Sequence, residues 1–280
     1  MRGTDKVQMH FLGLTIVQIL WTLTFAALLV LLVVLLGRDR ARRFPWFTAS
    51  MALTALRLIT SRMLYDRIPQ MTMSKIFLTL AVVEALVTLL VAVEIARRAF
   101  AGASRRAWMI GTLAVLAVGA VVLVEWGPWP AWQTLTAEST LAVLRFTQLV
   151  AQKTGLLSNV LTVELGFLVV LFGSRFKAGW RSHTQQIAIG LSTAAIAQLA
   201  VRGIWQEIAL HAAPQTQSEF ERVMGIQDKL YNANSAIFIA VLVWWIACLW
   251  FDEPGTTIPA AAKEIASPEA DGAILTDGEK

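Results

Sequence analysis

FLGLTIVQILWTLTFAALLVLLVVLLG (residues 11–37), followed at once by RDRARR (38–43), decides how this chain is read. The first part is an apolar run without a charge, longer than the ~18 residues at which a membrane span becomes the default reading. It is also too long for the core of a cleaved signal peptide. The second part places Arg38, Arg40, Arg42 and Arg43 directly behind it. Loops kept on the cytoplasmic side accumulate Lys and Arg, so the run reads as a retained first span with its N-terminus outside.

The same alternation repeats downstream. Arg97, Arg98, Arg105 and Arg106 form a second basic gap, and Arg175, Lys177 and Arg181 a third. The gaps between these, 67–71, 126–150 and 207–230, are poorer in base and hold Glu138, Glu207, Glu219, Glu221 and Asp228. Seven spans follow, at about 10–37, 46–66, 72–96, 107–125, 151–174, 184–206 and 231–251. The fold class is all-α: a polytopic membrane protein, a seven-transmembrane-helix bundle with N-terminus outside and C-terminus cytoplasmic. Residues 1–251 form the transmembrane domain and 252–280 an acidic, disordered cytoplasmic tail.

Composition agrees. Over 280 residues the chain is 56% hydrophobic and 15% charged, with a mean hydropathy of +0.61, too apolar for an ordinary soluble domain. The net charge of +5 hides an asymmetry, because residues 252–280 carry seven acids against two lysines. The basic excess therefore sits in the gaps, where it serves topology and anionic-lipid contact and not nucleic acid. Tryptophans mark the interfaces: Trp46, Trp108, Trp180 and Trp250 at inner ends, Trp126, Trp129, Trp132 and Trp205 at outer ends. Pro128 and Pro130 stop the fourth helix. Segment 133–150, interrupted by Arg145, reads as an interfacial helix or an outer extension of the fifth span, and 214–231 as a short amphipathic helix. The abundance of Ala and Arg over Lys points to a plasma membrane, that of a bacterium, the inner membrane.

Several chemistries lack their residues. The single cysteine, Cys248, permits no intrachain disulfide or Cys-based metal site. No lysine lies within residues 231–250 to carry a retinal Schiff base. Of three histidines, His183 falls inside and His10 and His211 outside, which excludes a three-His metal site; the outer two match in depth for a bridged haem but read as solvated interfacial side chains. Gly190-Leu191-Ser192 has no histidine at its depth, which makes it a helix-packing element and not a nucleophile site. No cofactor, no metal and no enzymatic activity are expected.

The chemistry that remains lies at the midplane. At ~1.5 Å per residue, Arg57, Glu84 and Glu164 each fall roughly 15–18 Å from one face of a core ~30 Å thick. A charge there costs at least ~2.5–3.5 kcal/mol and should turn inward to a partner. Ser50, Thr54, Arg57 and Ser61 form one polar stripe on the second span, and Gln198, Arg202 and Gln206 another on the sixth. The expected site is an outer-half polar cavity floored by Arg57, Glu84 and Glu164 and rimmed by Arg62, Lys153, Gln198 and Arg202. Arg57 and Arg202 would hold a small anionic ligand, with Glu84 and Glu164 as counter-charges or protonatable switches. The competing reading is an Arg–Glu pair that only locks two helices together. Two nearer pairs are expected to be local salt bridges: Glu94 with Arg97 or Arg98, and Arg62 with Asp66. Trp21, Trp244 and Trp245 read as core, or as the wall of a pocket.

These features suggest a non-enzymatic, receptor-like or ligand-binding module that acts through a protein partner in trans, in the membrane or at its basic loops. A proton-coupled carrier and a structural subunit of a membrane complex are the alternatives. In helix number alone the arrangement is similar to the seven-helix sensory modules that precede signalling domains in bacterial receptors.

Overall fold

A computed structural model describes residues 15–64, 67–126, 129, 140–172, 182–212 and 216–253. These residues form eight helices: α1 Ile16–Gly37, α2 Arg40–Arg43, α3 Pro45–Leu64, α4 Gln70–Ala99, α5 Arg105–Glu125, α6 Thr140–Phe172, α7 His183–His211 and α8 Gln217–Trp250. Among the expectations above, those for His10, Asp66, Pro128, Pro130, Trp132, residues 133–139, the third basic cluster, Trp180 and the tail beyond 253 lie outside the described residues.

Local chemistry sets the helix ends. α1 opens on a capping box, with the Thr15 hydroxyl accepting from Gln18 N and Gln18 Oε1 accepting from Thr15 N. It closes before Asp39, whose φ of 55° lies in the left-handed region that Asp tolerates. That turn and the single helical turn α2 reverse the chain. Pro45 then starts α3, where its missing N–H costs nothing.

Neighbours pack pairwise, α1 on α3, α3 on α4, α4 on α6, α6 on α7, α7 on α8 and α8 back on α1. This closes a ring of six, which α4 bridges by also touching α7. α5 stands outside, against α6, with Gly119 as its only buried residue among those described. The large side chains Ile110, Leu113, Leu116 and Val121 of α5 are all more than half exposed. Such a face is inadmissible in water and ordinary against lipid. Six helices (α1, α4, α5, α6, α7 and α8) are long and apolar enough to cross a membrane, the make-up of a helical integral membrane protein.

The core fills one half of the ring. On α1 its members are Leu28, Leu31, Val34 and Leu35; on α3 Phe47, Met51 and Ala55; on α4 Val91, Ile95 and Ala99. Leu165 and Val169 of α6, Ile187 and Ala188 of α7, Val241, Leu242, Trp245 and Leu249 of α8, and Phe44 just before α3 complete it. Every one belongs to the half nearest the α1–α2–α3 turn. Trp245 is fully buried there, edge-on to Phe47 at 5.0 Å, and its Nε1 donates to Gln186 O at 3.3 Å. Trp244 instead faces outward, and Trp21 stacks on Phe25. A Cβ on Gly190 would fall 2.6 Å from Trp245 Cε2, so only glycine lets the indole lie against α7.

Two outer segments differ from the sequence reading or resolve it. Residues 217–231 are not a separate amphipathic helix but the first turns of α8, capped by Thr216 and Glu219. No proline interrupts that stretch, and propagating a helix costs far less than nucleating a second. Likewise residues 140–150 continue directly into α6, which at 33 residues is about 50 Å long.

Candidate functional site

The polar stripe of α3 faces α4. Ser50 and Thr54 are buried, and the Thr54 hydroxyl lies 3.0 Å from Ser50 O and 3.1 Å from Glu84 Oε1, able to donate to one at a time. Arg57, one turn further, pairs through its guanidinium with Glu84 Oε2. Arg57 stands twelve residues beyond Pro45 and Glu84 fourteen beyond Gln70, so the pair sits at mid-helix on both elements. It is not sealed: the side chains are 40% and 20% exposed. The fully buried core on α3 ends at Ala55, two residues below Arg57, and Leu58 packs against it only partly buried.

The other expected members have different partners. Glu164 lies on α6 with both carboxyl oxygens buried and no hydrogen-bond partner among the described residues. Gln198 of α7 accepts from Asn159 Nδ2 of α6 at 3.1 Å. Arg202 donates to Gln152 O at 3.1 Å. Lys153 donates to Leu123 O at 3.2 Å and Trp126 O at 2.7 Å, carbonyls that end α5, and lies 4.3 Å from the centre of the Trp129 ring. Arg62 is exposed near the end of α3. The seven residues thus divide into one ion pair, three side chains that tie α5, α6 and α7 together, one buried carboxyl and one surface arginine. Asn159 had no apparent role in the sequence, because nothing along the chain aligns α6 with α7.

Two grooves open at the end of the ring away from the α1–α2–α3 turn. One, of 620 Å³, is lined by Trp126, Ile196, Leu199, Ala200, Gly203, Ile204, Glu207 and Ile208. The other, of 360 Å³, involves Val121, Val122, Glu125, Trp126 and Gln206, with Trp126 Nε1 donating to Gln206 Oε1 at 3.0 Å. Neither is lined by Arg57, Glu84 or Glu164.

A second polar cluster holds the basic end. Arg40 pairs with Asp252 at 2.5 Å and Arg43 with Glu253 at 2.8 Å. Glu253 Oε1 also accepts from His183 N at 2.8 Å, and His183 Nε2 lies 3.0 Å from Phe251 O. Burial alone would push the Glu253 carboxyl up, but the His183 N–H and the Arg43 guanidinium outweigh it and hold it below the usual carboxylate range. Glu94, expected in a local salt bridge, does lie 3.8 Å from Arg98. Its Oε2 also accepts from Phe47 N at 3.1 Å, so a side chain of α4 caps the N-terminus of α3. Arg98 reaches on to the carbonyl of Arg43. These bonds gather the C-termini of α1, α4 and α8 and the N-termini of α3 and α7 at one end. The acidic pair that starts the tail was the available signal for this cluster, since it follows α8 directly and opposes the first arginine cluster.

The packing element Gly190-Leu191-Ser192 is close-fitted. Ser192 Oγ lies 3.0 Å from Thr162 O of α6 and 2.8 Å from Ala188 O, and its side chain abuts Gly166. No family model matches the chain, and no curated protein or solved structure is similar enough to be set beside it.

Proposed function

We propose that this chain is a seven-span, N-outside module of a bacterial inner membrane, non-enzymatic and receptor-like, which takes a small anionic ligand in an outward-facing crevice and acts through a protein partner. The observation that carries the reading is the Arg57–Glu84 pair, mid-helix and open to the surroundings just above the level where the core stops. A half-exposed guanidinium at that depth is untenable against lipid tails, so water, a ligand or a partner must meet it. Gathering of the α1 and α4 C-termini at one end supports the seventh span. A chain that leaves α1 at that end must return to the other before starting α4, and α3 provides the return. Arg38, Arg40, Arg42, Arg43, Arg97 and Arg98 all cluster at that end, which supports its cytoplasmic side.

Native mass spectrometry of the full chain, released gently from its own membrane, tests the reading. The expected result is a reproducible small anionic adduct that disappears in Arg57→Ala while the thermal midpoint changes little. A midpoint that collapses in Arg57→Ala, with no adduct on the native chain, overturns it and makes the pair a helix lock. Closure of Glu84 by both Arg57 and Thr54 is the observation on the side of that structural-subunit reading.

A further inference from the structure

Glu164 is the ionisable residue that the site leaves unexplained. Leu157, Leu161 and Glu164 share one face of α6 by their spacing, and a Cβ on Gly119 of α5 would meet Leu157 and Leu161, so Glu164 lies on the side turned to α5. The helices packed against α6 are α4, α5 and α7. α5 has no ionisable side chain between Arg106 and Glu125, and α7 none between His183 and Arg202. Between Lys75 and Glu94, α4 carries only Glu84, already bonded to Arg57 and Thr54. Among the described residues, therefore, no counter-charge faces Glu164 from α4, α5 or α7, and both of its oxygens are buried without a hydrogen bond.

An ionised carboxylate in that position would bear the full desolvation penalty with nothing to offset it, whereas the neutral acid bears only that of a polar group. We propose that Glu164 is a membrane-embedded proton-binding site, loaded in this packing and unloaded when α6 parts from α4 and α5. The step is the simple exchange of a carboxylic acid for a carboxylate and a proton, with water as the acceptor. It needs α6 to move because both carboxyl oxygens are closed off from solvent in this packing. The proton site stands whether or not Arg57 and Glu84 hold a ligand, and different variants test the two.

Infrared spectroscopy of the full chain in lipid bilayers at pH 7 is the test. The expected result is a protonated-carboxyl stretch that moves on exchange into D2O, fades on raising the pH, and is lost in Glu164→Gln. Glu164→Leu should lose the same band and fold at least as well, since it removes an uncompensated polar group. Two results overturn the proposal. One is a pH 7 spectrum in which neither variant removes an acid band. The other is a Glu164 band that persists unexchanged in D2O and untitrated at alkaline pH, which would make it a fixed neutral group and not a site of exchange. Should both variants fail to fold, Glu164→Asp decides: it must shift the frequency of the band, and an unshifted band overturns the proposal.

Discussion

Replacing Gly166 by alanine should force α6 and α7 apart, and the structure says by how much. A Cβ on Gly166 would overlap Ser192 Oγ and stand 2.6 Å from Ser192 Cβ. Carbon atoms rest at ~3.5–4.0 Å, so the deficit is about 1 Å. Rotating Ser192 moves its hydroxyl but not its Cβ, so the backbones must yield. Overpacking of this kind costs about 1–3 kcal/mol. Parting the helices also strains the Ser192 bond to Thr162 O, and interhelical hydrogen bonds in membranes average ~0.6 and reach ~1.7 kcal/mol. The better helix propensity of alanine returns ~0.5–1 kcal/mol, leaving a net loss of about 1–3 kcal/mol.

The second variant makes the reasoning refutable. Ser192→Gly deletes both atoms that clash and leaves Ala188 O, at 3.6 Å, as the next neighbour of the new methyl. Alone it should cost about 1–2.5 kcal/mol, from the lost bond and a glycine inside a helix. Combined with Gly166→Ala it should be no worse than alone, a coupling of about 1–3 kcal/mol against additivity. Reversible unfolding in mixed micelles, followed by tryptophan fluorescence, reads all four proteins. Single effects that add within ~0.5 kcal/mol would show that Gly166 and Ser192 are not in fixed contact.

The basic end supports two further expectations. Glu253 has a depressed pKa in the fold, so its stabilising bonds are fully present above the ordinary carboxylate value of ~4.3 and are lost as pH falls through the folded value. Hydrogen-exchange protection of the His183 amide should therefore fall in acid, and Glu253→Gln should lower it already at pH 7 and flatten its pH dependence; unchanged protection in the variant would dismiss the clasp. Glu94→Ala removes a cap of α3 and a partner of Arg98, and should lower stability by about 1–3 kcal/mol in the same unfolding assay. An effect below ~0.5 kcal/mol would mean that water replaces the carboxylate at Phe47 N.

What was legible along the chain is what each segment settles for itself. The apolar runs became helices because a segment that must satisfy its backbone in lipid by itself can do so only as a helix, the alternative being a closed barrel of strands. Arg57 and Glu84 found each other because a mid-depth charge has few partners on offer, and the polar stripe of α3 already indicated which face would carry them. The exposed face of α5 was likewise announced by the lack of any ionisable side chain between Arg106 and Glu125. Illegible were the properties of pairs. Lys153 and Arg202 donate to backbone carbonyls of the neighbouring helices α5 and α6, acceptors that every residue possesses and no pattern marks. Asn159 and Gln198 meet only because α6 and α7 are adjacent and suitably rotated.

Glu164 shows why depth alone misled. Its depth matches that of Arg57 and Glu84, which suggested a single cluster of three. Depth is one coordinate of a bundle and azimuth is the other. Sharing a face with Leu157 and Leu161, Glu164 looks towards α5, while Glu84 spends both oxygens on α3. Once Arg57 and Thr54 are committed to Glu84, no cation at that level remains among the described residues for a second carboxyl, and on the proton-site proposal the balance of charge is restored by a proton instead of a side chain. One arginine and two glutamates in the middle of a membrane are therefore two separate groups: a partly exposed ion pair between α3 and α4, and an acid without a side-chain partner among the described residues, whose counter-charge on the proposed reading is the proton it carries.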